Sequence, residues 1–264
     1  MTSHDQTAIA AAAEALYAAR HERVPCAPVR TLFSSGDIAA AYATQQTNVR
    51  RLIAAGARPV GRKIGLTSVA VQRQLGVDRP DFGMLFDFMQ TGDDGAPLAL
   101  STLVSPRIEA EIAFRMGRDV TVSNASRAEL AAAIDGVAAA VEIVDSAIAG
   151  WDIDIVDTIA DNASSGAFAV GPWQPFRADL DLPGRAMRLL RDAEEISRGS
   201  GAATLGDPLN ALAWLAETAI EFGDCLRAGE IVLAGALGPM VKLTPGRYRA
   251  EIDGFPPLAL NVVP

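Results

Sequence analysis

Residues 107–114 read RIEAEIAF, and this alternation restricts the fold more than any other stretch of the chain. As a strand it sends Ile108, Ala110 and Ile112 to one face and Glu109 and Glu111 to the other, because strand side chains alternate with a period of two. As a helix it would splay the two glutamates about 200° apart around the 3.6-residue turn. The strand reading therefore makes a carboxylate pair. Two like charges side by side repel unless a cation sits between them, and a divalent cation does this best. A solvent-facing strand surface is the other reading of the same eight residues.

A third carboxylate lies in VAAAVEIVDS, residues 137–146, where Glu142 interrupts one of the most apolar runs of the chain. An unpaired charge buried there would cost several kcal/mol, so Glu142 is a metal ligand or else a protonated or salt-bridged core residue. Three carboxylates from two strands, with positions left open for water or substrate, suit Mg²⁺ or Mn²⁺ better than Zn²⁺. The chain has only two histidines and two cysteines, Cys26 and Cys225 far apart, and no cluster of either to hold zinc.

Half of the 264 residues are hydrophobic, enough for a sizeable core, and the formal net charge is −9. That balance argues against a nucleic-acid or anionic-membrane surface and leaves small molecules and copies of the chain itself as partners. Two cysteines are too few for a disulfide scaffold, which fits a reducing, cytoplasmic setting. The alanine-rich opening lacks a basic start and is broken by Glu14 and Arg20, so it reads as a helix rather than a signal peptide. The apolar runs are too short for a membrane span. The Asn-x-Ser sequons at Asn124 and Asn162 read as chance matches.

Helices are expected over 6–21, over 38–56 after the cap-like SSGD, and over 207–223, an amphipathic stretch ending at a glycine. Strand-like runs fall near 60–66, 107–115, 138–145, 167–171, 230–234 and 240–243, separated by turns such as TGDDGAP and TPGR. The simplest picture is an α+β chain: a helical N-terminal lobe, residues 1–58, packed on a mostly β body, residues 59–264, as one continuous unit.

Four polar islands remain. GRKIGLTS, 61–68, places Lys63 in a strand-like run without P-loop spacing. Lys63 is a solvated surface residue or, beside a metal-bound acid, a group that neutralises an anion or shuttles a proton. GVDRPDFG, 76–83, reads as a turn-rich loop in which Asp78 and Asp81 are turn formers first. DTIADNASSG, 157–166, gathers Asp161, Asn162, Ser164 and Ser165 ahead of a strand, where capping or turn roles are the plain reading. LAGALGPM, 233–240, is a glycine-rich turn able to approach a ligand closely.

Taken together, GRKIGLTS, QLGVDRPDFGMLF, PRIEAEIAF, WDIDIVDTIADNASSG and LAGALGPM, in this order and spacing, resemble the 2-hydroxypenta-2,4-dienoate (2-keto-4-pentenoate) hydratases. These form part of the hydratase/decarboxylase branch of the fumarylacetoacetate hydrolase superfamily. The likeness runs from about residue 10 to the C-terminus. It implies a mixed β-sandwich roll preceded by helices, assembled as a pentamer or decamer, with a divalent metal held by Glu109, Glu111 and Glu142. Lys63 and Asp81 match the proposed acid/base residues, and Ser164 lies in the matching DNASSG segment. Asp78, Asn162, Leu237 and Gly238 carry over as substrate-binding positions. The implied reaction adds water to 2-hydroxypenta-2,4-dienoate, or a close alkyl homologue, in meta-cleavage catabolism of aromatic or steroid rings. The implied product is 4-hydroxy-2-oxopentanoate, and the resemblance implies a downstream aldolase as a partner.

The sister decarboxylases of 2-oxo-3-enedioates are the nearest rival, and their substrates need an extra cationic contact at the far end. The GALGPM turn resembles the monocarboxylate hydratases more. A carbon–carbon hydrolase with a histidine-activated water is disfavoured, since His4 and His21 both belong to the first helix region. A scaffold subunit without turnover is disfavoured by the intact metal and acid/base positions.

Overall fold

The computed structural model describes residues 3–68, 71–73, 77, 79–92 and 96–264. Helix α1 spans Ser3–Glu22 and α2 spans Ile38–Ala54, the latter capped by Asp37, whose carboxylate accepts from Ala40 N at 2.9 Å. The two helices are joined by Asn48, which donates to Ala13 O at 2.9 Å, and by Arg51, which pairs with Glu14 and lies over the Tyr17 ring. No helix of the described residues is long and apolar enough to cross a membrane.

The strands are β1 (Pro59–Gly65), β2 (Asp81–Phe86), β3 (Leu98–Ala99), β4 (Pro106–Met116), β5 (Ile134–Asp145), β6 (Ser165–Val170), β7 (Gln174–Pro175), β8 (Ala186–Arg191), β9 (Glu194–Ser200), β10 (Ile231–Ala236), β11 (Val241–Lys242), β12 (Gly246–Ile252) and β13 (Leu258–Val263). They form two sheets. The larger runs β2-β1-β10-β4-β5-β6, with β11 beside β4 and β7 beside β5; the smaller runs β3-β13-β12-β8-β9. Pairing is antiparallel except for β1 with β10 and β13 with β3, so both sheets are mixed.

The sheets stack on a shared apolar core. Ile108 and Ile112 of β4 and Val141 and Ile143 of β5 meet Met187, Leu189, Tyr248 and Ala250 of the second sheet in one buried cluster. Ala12 and Leu16 of α1 and Ala41 and Tyr42 of α2 belong to the same cluster. The expected sandwich with helices at its N-terminal end is what the chain forms. On β4 the even-numbered residues fill this core, which leaves Glu109 and Glu111 on the opposite face.

Two features differ from the sequence reading. The segment containing Asp81 is not loop throughout: Asp81 opens β2, which pairs antiparallel with β1 and places Asp81 opposite Gly65. Gly83 had broken the apolar pattern of DFGMLF and hidden the strand. The segment 157–166 contains a short helix, Ile155–Ala160, capped by Asp154, before its polar turn. Asp78 lies outside the described residues.

Candidate active site

Lys63, Asp81 and the three glutamates stand on the larger sheet, and Ala163 and Ser164 on the turn that follows the Ile155–Ala160 helix. Glu109 and Glu142 are paired across β4 and β5, and Glu111 lies two residues further along β4. One carboxylate oxygen from each of the three falls within 4.8 Å of the other two. Glu111 and Glu142 are fully buried and Glu109 partly so.

Burial pushes the carboxyls of all three upward. For Glu111 the neighbouring Glu142 and Glu109 add to it, and Glu109, next to Glu142, is pushed to about 7. Glu111 Oε2 accepts from the Gly235 N–H at 2.7 Å, but Glu111 Oε1 and Glu142 Oε2 have no hydrogen-bond partner among the described residues. Buried carboxylate oxygens facing one another without donors are the donor set that a hard divalent cation completes. The residues fit such an ion.

Lys63, on β1, is buried beside them. Its Nζ lies 3.1 Å from Glu142 Oε1 and donates to the Ala163 carbonyl at 2.8 Å. Burial alone would push its ammonium toward neutrality; Glu142, Asp81, Glu109 and Glu111 outweigh that, and the ammonium is held above its ordinary range. Lys63 is therefore a fixed cation. Asp81 is equally buried, and burial raises its carboxyl against the pull of Lys63. Its Oδ1 is without a hydrogen-bond partner among the described residues. A Cβ on Gly65 would lie 2.2 Å from Asp81 Oδ1 and 3.2 Å from Lys63 Nζ, so the glycine leaves room for both groups to face one space.

The turn Asn162–Ala163–Ser164 runs through the left-handed region at all three residues, with φ of 55°, 51° and 53°. Non-glycine residues persist there only when their surroundings fix them, and such strain gathers at functional sites. The turn aims the Ala163 carbonyl at Lys63 and sets Ser164 in the pocket wall, its Oγ 3.4 Å from Asp161 Oδ2. The Asn162 amide is taken up by β2, accepting from Met84 N at 2.8 Å and donating to Met84 O at 2.9 Å.

Leu237 and Gly238 stand behind the site rather than in its wall. Leu237 is fully buried and donates from its N–H to Ala110 O, while Gly238 is pressed against Arg198 O and Met187. The same turn contributes Met240 to the pocket, and Leu66, Val144, Trp151 and Ile153 complete an apolar wall. Sequence reasoning passed over Trp151 and Arg107. The guanidinium of Arg107 lies 4.2 Å from the Trp151 ring centre, and the indole N–H donates to Ser105 O. Arg107 shares the odd-numbered face of Glu109 and Glu111, and the period of two would have found it.

The sequence of residues 67–263 matches the family described as fumarylacetoacetate (FAA) hydrolase, C-terminal. The chain belongs to the fumarylacetoacetate hydrolase family. Among relatives in that family, a 2-keto-4-pentenoate hydratase of Burkholderia vietnamiensis is 50% identical over 252 residues, covering 95% of this chain and 96% of its own length. A 2-hydroxyhexa-2,4-dienoate hydratase of Comamonas testosteroni is 39% identical over 254 residues, covering 95% and 96%. Among solved structures, 4-oxalocrotonate decarboxylase from Pseudomonas putida G7, complexed with magnesium and adipate, superposes with a TM-score of 0.92. It is 30% identical and is matched over 100% of this chain and 99% of that one.

Proposed function

We propose that the chain is a metal-dependent hydro-lyase that adds water to 2-hydroxypenta-2,4-dienoate or a short alkyl homologue, giving 4-hydroxy-2-oxopentanoate in the parent case. The observation that carries this reading is the buried Glu109–Glu111–Glu142 cluster with Lys63 and Asp81 beside it under an apolar wall. Relatives about half identical over nearly the whole chain are named for the same reaction.

Glu109, Glu111 and Glu142 would hold Mg²⁺ or Mn²⁺. When bound, the ion supplies Lewis-acid polarisation of the carboxylate and C2 oxygens of a 2-hydroxydienoate. The chain's own groups then account for the proton movements. Asp81, whose carboxyl is pushed upward by burial, is placed to donate a proton to C5 while the C2 hydroxyl releases its proton to solvent, so the dienol becomes the conjugated 2-oxo-3-enoate. The Lys63 ammonium stabilises negative charge developing at the C2 oxygen. Water adds its hydroxyl to C4, Asp81, ionised by the first transfer, takes the proton that this water leaves, and a proton from solvent enters at C3. Ser164 offers a hydroxyl in the wall to orient it. Leu66, Val144, Ile153 and Met240 pack the hydrocarbon end and exclude bulk water.

The decarboxylase likeness shares the metal logic but calls for a second carboxylate to be met. Among the described residues lining the pocket, Lys63 is the only cation, and it is already paired with Glu142. An uncharged tail fits that wall better. The test is a stopped-flow ultraviolet assay of freshly generated dienoate with Mg²⁺, with Mn²⁺ and after chelation, with products identified by mass. Metal-dependent loss of the dienol with gain of one water is the expected result. Carbon dioxide release from 4-oxalocrotonate without dienol turnover would overturn it.

A further inference from the structure

One side chain of α1, which precedes the matched region at residues 67–263, reaches the back of the pocket wall. Arg20 Nε donates to Asp161 Oδ1 at 2.9 Å, and the guanidinium also donates to the Asp145 and Asp161 carbonyls at 2.8 and 3.3 Å. Asp161 is itself buried and is the last residue before the left-handed turn. Its Oδ2 accepts from Ala147 N at 2.9 Å and from Ser164 Oγ, and its carbonyl accepts from Ser164 N at 2.9 Å. The turn is thus gripped at the residue just before it by an arginine more than a hundred positions earlier, and from its middle the same turn presents Ala163 O to Lys63.

A second arm runs from the same guanidinium. Asp145, whose carbonyl Arg20 holds, accepts from Val104 N and Ser105 N through its carboxylate, and Ser105 in turn accepts from the Trp151 indole. Two walls of the pocket, one bearing Ser164 and the other Trp151, therefore converge on one planar donor. A guanidinium can make these contacts together because its donors form a rigid fork; an ammonium on a flexible stem cannot reproduce the geometry.

We propose that Arg20 is a positioning residue of the active site, a clamp from the N-terminal helix that holds the Asn162–Ser164 turn, and with it the Ala163 carbonyl on Lys63, in working geometry. The proposal rests on the hydratase reading for its kinetic readout alone. Arg20 faces a separate cavity with Asp145 and Asp161 and lines neither the pocket of Lys63 and Asp81 nor the carboxylate cluster, so its loss acts on turnover and not on metal uptake.

The experiment compares Arg20→Met, Arg20→Lys and the double variant Arg20→Met with Asp161→Asn. Turnover of the dienoate, Mn²⁺ affinity by calorimetry and amide exchange by mass spectrometry are measured for each. Arg20→Met lowers kcat about ten- to a hundredfold, the usual consequence of sub-ångström misplacement, with KM and Mn²⁺ affinity nearly unchanged. Amides of residues 160–166 exchange faster while those of β4 do not, and Arg20→Lys recovers only part of kcat. The double variant removes the orphaned buried carboxylate and so regains thermal stability, yet its kcat stays low. Recovery of both stability and kcat in the double variant, or wild-type kcat in Arg20→Met, would overturn the clamp. If the wild-type chain binds Mn²⁺ but leaves the dienoate untouched, the hydratase reading falls, and unchanged exchange at 160–166 in Arg20→Met is then what would overturn the clamp.

Discussion

Glu109 and Glu142 are direct cross-strand partners on β4 and β5, so the spacing of their carboxylates is set by sheet register. A slip of one residue would turn Ile108 and Ile112 out of the core, and the packing that buries them therefore also fixes the carboxylate cluster. Glu109→Gln or Glu142→Gln should each lower Mn²⁺ affinity by about a hundredfold or more and abolish metal-dependent turnover. Calorimetric titration and the dienol assay measure the two effects. Full activity with a normal metal requirement in either variant would rule out the cradle.

Removing Lys63 acts on chemistry more than on metal. Lys63→Ala should lose about 10²- to 10³-fold in kcat while keeping the ion, because a positioned charge is lost but no carboxylate is. Loss of metal with chemistry intact at saturation would show that Lys63 had been given the wrong role.

Chelation should destabilise the fold. Three clustered carboxylates, two of them fully buried, are offset chiefly by Lys63 when no divalent ion is bound, and a ligand present at a hundred times its Kd adds about 2.7 kcal/mol to the native state. Thermal melts with Mg²⁺ and with chelator check this; coincident midpoints would contradict it.

Gly235 holds a φ of 108° and donates its N–H to Glu111, and a Cβ there would lie 2.3 Å from Thr67 Oγ1. Gly235→Ala should cost about 1–3 kcal/mol and weaken metal binding as the N–H swings away. A melt and a Mn²⁺ titration of the variant decide it, and wild-type values in both would show that the loop adapts without harm.

On the second sheet, Arg198 and Arg188 hold the half-buried Glu195 carboxyl down to about 2, well below its ordinary value near 4.5. A folded-state value below the unfolded one gives stability that is present above about pH 4.5 and lost as pH falls towards 2. Glu195→Gln should therefore be less stable than wild type at pH 7 and equal to it near pH 2. A stability difference that persists at pH 2 would point to packing rather than charge.

The site was legible where chemistry interrupts a pattern. Glu109 and Glu111 break an apolar strand every second residue, which shows a carboxylate pair on one face but leaves a solvated surface open, whereas Glu142 breaks a longer apolar run and points to a buried charge. The second sheet was not, because strands such as GRYRAEI and AMRLLR alternate charge with a single apolar face and resemble solvated loop. Nor was β2 visible, since Gly83 leaves no side chain to carry the period. The hold of Arg20 on Asp161 spans 141 positions, and no local pattern encodes a contact of that range.

The parallel pairing of β1 with β10 sets Lys63 beside Leu233, so the strand that carries the lysine rests on one made 170 residues later. Closing so long a loop must precede any reward from the contact, which puts completion of the site late in folding. The carboxylates on the antiparallel β4–β5 pair are separated by a far shorter loop, so they can come together earlier. The acidic cluster is therefore set by register before the ammonium beside it is locked in place, and until then Arg107, on the same face of β4, is a countercharge supplied by the carboxylates' own strand.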